Sequence, residues 1–197
     1  MTSREAIAQL CKCGVSQRNI DVISSGGRVE TDATRGIQAW LQTDKTFCLL
    51  AGSYGTGKTF AASLAFLKLR IGCWITKNSE FERGSRLPSG LFIRASELQN
   101  ASRFDFQGRE AWSRAEQAEL LVIDHVGVEY ADKSDIWLNN FDMLIDQRYS
   151  EKRRTIITTN ADRVHFETKY AGSIMDRIVN DGVIVLCAGE SLRKEKQ

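Results

Sequence analysis

The sequence holds a single proline, Pro88, so almost nothing in it forces a helix to break. Its only histidines are His125 and His165, and the close cysteine pair in CKC (Cys11, Cys13) has no second pair with which to build a zinc site. The five cysteines (with Cys48, Cys73 and Cys187) are odd in number and mostly sit among apolar neighbours. That usage suits unpaired thiols in a reducing cytoplasm and argues against a disulfide framework. No apolar run approaches the roughly 20 residues of a membrane span. Arg4 and Glu5 stand where a signal peptide would need an apolar stretch, so a cytoplasmic chain without a membrane partner is expected. Neither sign of charge dominates. With 27 Lys and Arg against 25 Asp and Glu, the net charge is +2, and nucleic-acid binding would have to come from a local patch.

What is present is enough for one domain with a real core: 197 residues, with 42% apolar and 26% charged content in the ordinary globular range. Helices are expected over 3–13 and 34–43, a buried strand over 46–52, and a helix with apolar residues at helical spacing over 57–72. A strand over 90–95 leads into a polar helix from Ser96, and 109–119 reads as a further helix. Beyond it come a buried strand (120–124), a long amphipathic helix (135–153), a β-branched strand (155–160), a helix (172–180) and a closing strand (182–189). Strands that are apolar throughout and alternate with helices imply an α/β fold whose parallel sheet is covered on both faces. The polar stretch WITKNSEFERGSRLPSG (74–90) reads as an exposed loop, and RKEKQ as a solvated tail.

The stretch GSYGTGKT (52–59) fits G-x-x-x-x-G-K-[ST] at every fixed position, with an apolar strand before it and a helix after it. Gly52, Gly55 and Gly57 let the backbone turn its N–H groups around phosphates, with Ser53, Tyr54 and Thr56 filling the variable positions. The helix start aims its positive end at the same anion. In such loops the lysine, here Lys58, reaches the β- and γ-phosphates, and the hydroxyl of Thr59 ligates Mg²⁺. LLVIDHVG (120–127) then delivers Asp124 at the end of an apolar strand, the natural second magnesium partner. Asn160 ends the next strand, RTIITTN, where an amide can orient attacking water or touch the γ-phosphate. ATP and Mg²⁺ are the expected ligands.

The order of these motifs resembles the AAA+ ATPases, and the spacing resembles their DnaC/IstB-like branch, the bacterial helicase loaders and the helper ATPases of insertion-sequence transposition. The resemblance runs through GVSQRN (14–19), FIRASEL (92–98), LLVIDHVGVEY, LIDQRYSEKRRTIITTN (144–160), SIMDRI (173–178) and GESLR (189–193). It implies a P-loop NTPase fold with an AAA+ core over 14–193, a short N-terminal extension at 1–13 and a tail at 194–197. About a dozen residues precede this core, where helicase loaders usually carry a separate helicase-gripping domain. The resemblance also implies that Asn160 is the first sensor, and that Arg177 is an arginine finger given to the neighbouring subunit's ATP. A helix-face arginine paired with Asp176 or Glu190 is the alternative. Arg193 resembles a late basic residue near the nucleotide.

One departure bears on the chemistry. Where the branch has a second acid to activate water, this sequence has His125. An imidazole next to a triphosphate is drawn towards its protonated form, which has no lone pair to accept a proton, although Mg²⁺ pushes the other way. Two readings follow. One is a slow, oligomerising ATPase that assembles on DNA, single-stranded or distorted duplex, and serves a helicase or a transposase. The other is a nucleotide-gated recruitment module with little or no hydrolysis and no direct DNA contact. Basic candidates for a DNA patch are Lys77, Arg83 and Arg86 in the long loop, and Arg103, Arg109 and Arg114 beyond it.

Overall fold

The computed structural model describes residues 12–25, 30–75, 89–101, 106–127, 136–170 and 172–192. The element order is α1 (Gln17–Ser24), α2 (Asp32–Leu41), β1 (Phe47–Ala51), α3 (Lys58–Ile75), β2 (Gly90–Arg94), α4 (Ala95–Ala101), α5 (Phe106–Gln117), β3 (Leu120–Val126), α6 (Ile136–Ser150), β4 (Arg154–Thr159), α7 (Arg163–Lys169), α8 (Ser173–Asn180) and β5 (Gly182–Leu186). The strands pair in the order β2-β3-β4-β1-β5, every pair parallel. Consecutive parallel strands need crossovers, and the helices supply them on both faces of the sheet.

Strand alternation divides the core in two. Phe47, Leu49, Leu121, Ile123 and Ile157 face one way, onto the helices α4 to α8. Cys48, Leu50, Val122 and Ile156 face the other, onto α1, α2 and α3. Because both faces are buried, β1 is apolar at every position, as a doubly covered parallel strand must be. An aromatic run lies within the first layer. It passes from Trp112 through Trp137 and Phe141 to Tyr170 and Phe166, with successive ring centroids 4.6 to 6.4 Å apart across this and the neighbouring Phe47–Tyr149 pair.

Arg148 of α6 is fully buried, with no ion-pair partner among the described residues. Its guanidinium instead donates to the carbonyls of Ala115 (2.8 Å) and Ala118 (2.7 Å) at the end of α5, to Arg154 O (2.8 Å) and to Thr155 Oγ1 (2.8 Å). Carbonyls at a helix C-terminus attract a cation. Burial nevertheless pulls the guanidinium down to about 9, with nearby Arg153 adding to the effect and Glu151 opposing it.

Several boundaries differ from the sequence expectation. The helix expected over 34–43 starts at Asp32, because Thr31 and Thr34 form a reciprocal capping box. The helix expected to stop at 72 runs to Ile75, since an internal glycine costs only about 1 kcal/mol. The strand expected to end at 124 continues to Val126, and the closing strand ends at Leu186 and not at 189. Two short helices were not expected, α1 capped by Ser16 and α7 capped by Asp162. The expected helix over 3–13 lies almost wholly outside the described residues, as do most of the 74–90 loop and the tail.

Candidate functional site at the C-terminal edge of the sheet

β1 ends at Ala51, and the chain curls through residues 52–57 before α3 begins. Gly52, Gly55 and Gly57 hold φ of 147°, 81° and 85° in that curl, a region side chains rarely adopt. At Gly55 the need is also spatial, since a Cβ there would lie 2.0 Å from Ser191 Oγ. A curl of this kind at a helix N-terminus gathers backbone N–H groups for an anion. Tyr54, at its tip, is 63% exposed.

Lys58 is the first residue of α3 and only 5% exposed despite its charge. Its Nζ donates to Gly52 O (2.8 Å), Ser53 O (2.6 Å) and Thr56 Oγ1 (3.3 Å). The ammonium is thus fixed within the curl, on acceptors it can exchange for phosphate oxygens. The next residue, Thr59, donates its hydroxyl to Asp124 Oδ1 at 3.0 Å.

Asp124 is buried and collects three groups. Besides Thr59, Thr158 Oγ1 donates to Oδ1 at 2.6 Å, and His125 Nε2 lies 3.4 Å from Oδ2. The strand is irregular here. Ile123 pairs with Ile157 and Val126 with Thr159, so three steps on β3 match two on β4, which is a β-bulge. His125 occupies the bulge with φ 63°. A non-glycine residue in that region is uncommon, with histidine among the tolerant types. Its backbone N–H donates to Thr158 Oγ1 at 3.0 Å.

Asn160 follows β4 directly, and its Nδ2 is buried with no hydrogen-bond partner. An unpaired buried donor costs about 1–3 kcal/mol, so this amide is suited to an incoming oxygen. It lines a cleft of about 770 Å³ beside the phosphate curl, together with Tyr54, Gly127, His165, Lys169 and Tyr170. Asp162 opens α7 at the rim of that cleft. Hydrogen bonds from the backbone N–H and ring of His165 hold its carboxyl below the usual 3.8.

Among the sequence candidates, Lys58, Thr59, Asp124, His125 and Asn160 therefore stand at one edge of the sheet. Arg177 does not join them. It pairs across to α6, with Asp142 Oδ1 at 3.1 Å and Asp146 Oδ1 at 2.5 Å, and neither Asp176 nor Glu190 is its ion-pair partner. Arg109 and Arg114 are exposed on α5. Arg193, Lys77, Arg83, Arg86 and Arg103 lie outside the described residues.

Two parts of the site were not anticipated. One is Thr158, read only as a strand residue, although a threonine pair interrupting an apolar strand near its end was a visible signal. The other is the backbone crossing of the curl by the segment after β5, of which the sequence reading placed only Arg193 near the nucleotide: Cys187 N donates to Ala51 O at 2.7 Å and Leu192 N to Gly55 O at 2.9 Å. Burial pushes the Cys187 thiol up to about 11, against the pull of Lys58 and with the help of Asp32, so it sits there as a neutral packing group.

The donor set fits a hard cation. A hydroxyl and a carboxylate converge, both oxygen ligands of the kind Mg²⁺ prefers. Among the described residues no group of three or more His, Cys, Asp or Glu could cage a metal alone. A cation here would take its remaining ligands from phosphates and water, as Mg²⁺ does at nucleotide sites.

Residues 35–197 match the family of IstB-like ATP binding proteins. The chain belongs to that family. Membership of an ATP-binding family supports ATP as a ligand of the chain. This IstB-like chain is 36% identical over 150 residues to the insertion sequence IS232 ATP-binding protein of Bacillus thuringiensis subsp. berliner, covering 72% of the one chain and 53% of the other. It thus spans about half the length of that relative. Its fold is similar to that of the DnaC helicase loader (TM-score 0.61, 18% identity, 88% of this chain and 100% of that chain). It is also similar to that of DnaI (TM-score 0.59, 20% identity, 82% and 81%). Identities this low speak for the fold alone, and the fold is the P-loop, AAA+-type parallel sheet expected from the sequence. No helix among the described residues is long and apolar enough to cross a membrane.

Proposed function

We propose that the IstB-like chain binds ATP with Mg²⁺ through residues 52–59 and Asp124, and uses it to hold an assembly on DNA that recruits or loads a helicase or a transposase. The observation that carries this reading is the Thr59–Asp124 hydrogen bond, with His125 at the adjoining bulge and the unpaired Asn160 amide alongside. Lys58 serves the β/γ-phosphates, Thr59 and Asp124 serve the metal, and Asn160 serves the γ-phosphate or its water. Bound Mg²⁺ would neutralise phosphate charge. His125 presents an imidazole where water would need a carboxylate, so hydrolysis is slow and ATP acts mainly as a brace. The same residue favours the second reading, a recruitment module that barely hydrolyses and does not touch DNA.

Arg177 completes a neighbouring copy's site in this proposal. Held between Asp142 and Asp146, it must exchange carboxylates for phosphate oxygens when copies meet. An operating arginine finger supplies about 10³–10⁵ in rate. Arg177→Ala should keep ATP binding while losing ATP-dependent assembly, followed by light scattering, and DNA-stimulated turnover. Wild-type behaviour in both would leave Arg177 as a helix-packing residue. DNA affinity that requires ATP and falls steeply with salt would select the first reading over the second.

A further inference from the structure

The strand-end pair Asp124–His125 is held by a side chain from the neighbouring strand. Thr158 is 1% exposed, and its single hydroxyl donates one bond and accepts another at once. It donates to Asp124 Oδ1 at 2.6 Å and accepts from the backbone N–H of His125 at 3.0 Å. The two contacts bracket the bulge, the one place where β3 and β4 lose register. Without the hydroxyl, the His125 N–H loses its acceptor. The carboxylate would then keep Thr59 on Oδ1 and the His125 ring 3.4 Å from Oδ2, and would lose its shortest restraint against turning about its Cβ–Cγ bond.

We infer that Thr158 is a positioning residue for the metal end of the site: its hydroxyl fixes the rotation of the Asp124 carboxylate and the bulge at position 125 that goes with it. The inference rests on the ATP–Mg²⁺ reading above. Thr59 and Thr158 donate to the same oxygen, so Oδ1 is held from two sides and the direction of Oδ2 is set with it. A cation needs the carboxylate in one rotation, and a carboxylate already held there loses less freedom when the cation arrives. A valine at 158 keeps the shape and removes the donor, whereas a serine keeps the donor and removes only a methyl group.

The test is ATP affinity measured by calorimetry across a series of Mg²⁺ concentrations and again in EDTA, with melting temperature as the check on folding. A hydrogen bond to a buried charged group corresponds to roughly tenfold or more in an equilibrium constant. Thr158→Val is therefore expected to raise the Mg²⁺ concentration for half-maximal tightening about tenfold, with affinity in EDTA unchanged. Thr158→Ser is expected to stay near wild type. If the valine chain does not fold, Thr158→Cys, with a weak donor of similar size, should give an intermediate midpoint.

An unshifted Mg²⁺ midpoint in Thr158→Val overturns the inference. So does an equal loss in EDTA, which would mean general damage to the site, or a serine chain no better than the valine one. A wild-type affinity indifferent to Mg²⁺ overturns the metal reading itself and the inference with it. Mg²⁺ dependence that survives in the wild type but ignores Thr158 overturns the inference alone.

Discussion

The proposed phosphate curl takes all its groups from successive residues, 52–59, whereas the proposed metal and water end takes Asp124 and Thr158 from positions 34 residues apart on two strands. In the curl, backbone geometry is the device, set by three glycines and a helix start. At the strand ends, side chains are the device, and they meet only because β3 and β4 pair. A local site survives as long as its loop does, but a site built across strands depends on register, and a one-residue slip changes which side chains face it. The bulge at His125 is such a one-residue irregularity, kept in place by Thr158.

The largest expected effect tests the local half. Lys58→Ala removes the ammonium seated on Gly52, Ser53 and Thr56, and with it the point charge for the β/γ-phosphates. Nucleotide binding or turnover should be lost. Calorimetric ATP affinity and turnover both equal to wild type would dissolve the contrast, because the curl would then not be the phosphate site.

The next effect, opposite in sign, tests the strand-end half. His125→Glu returns a carboxylate to the bulge and should raise turnover, since general-base help is worth roughly 10²–10⁴ in rate. ATP affinity should not weaken. A wild-type rate of about 1 s⁻¹ or more, the range of competent enzymes, together with no gain in the variant, would show that position 125 does not limit hydrolysis.

The smallest effect sharpens the same comparison at the rim of the cleft. Asp162 caps α7, and its carboxyl is held below 3.8 by the backbone N–H and ring of His165. A carboxyl with a depressed folded value gives stability above its unfolded value and loses it as pH falls through the folded one. The melting temperature of the wild type should thus exceed that of Asp162→Ala near pH 6, with the gap closing only below about pH 4. A gap that persists unchanged at pH 3 would assign the cap to something other than the ionised carboxylate.

The same contrast explains what could be read from the sequence. The curl was legible because four fixed positions within eight residues must be right together, and Asp124 because an apolar run delivered it. The bulge was not, since nothing in LLVIDHVG says how that strand pairs with RTIITTN. The sequence offers Asp176, on the same helix as Arg177, and Glu190, just after β5, as partners, but the observed ones sit on α6, Asp142 being 35 residues away. The helices α1 and α7 were missed because each is short, polar and marked by little more than a capping residue.

The bulge has a further consequence for how such a protein can change. Position 125 stands outside the strict alternation of β3, its side chain about a third exposed and its backbone held by a neighbour's hydroxyl. Asp124 and Val126 are buried on either side, and Asp124 Oδ2 lies 3.4 Å from His125 Nε2. On the proposed reading an exchange there changes how long ATP stays bound, and the φ of 63° at that position admits only the residue types that tolerate it. In that proposal timing and folding meet at one residue: whatever sets the rate there must also accept the left-handed backbone.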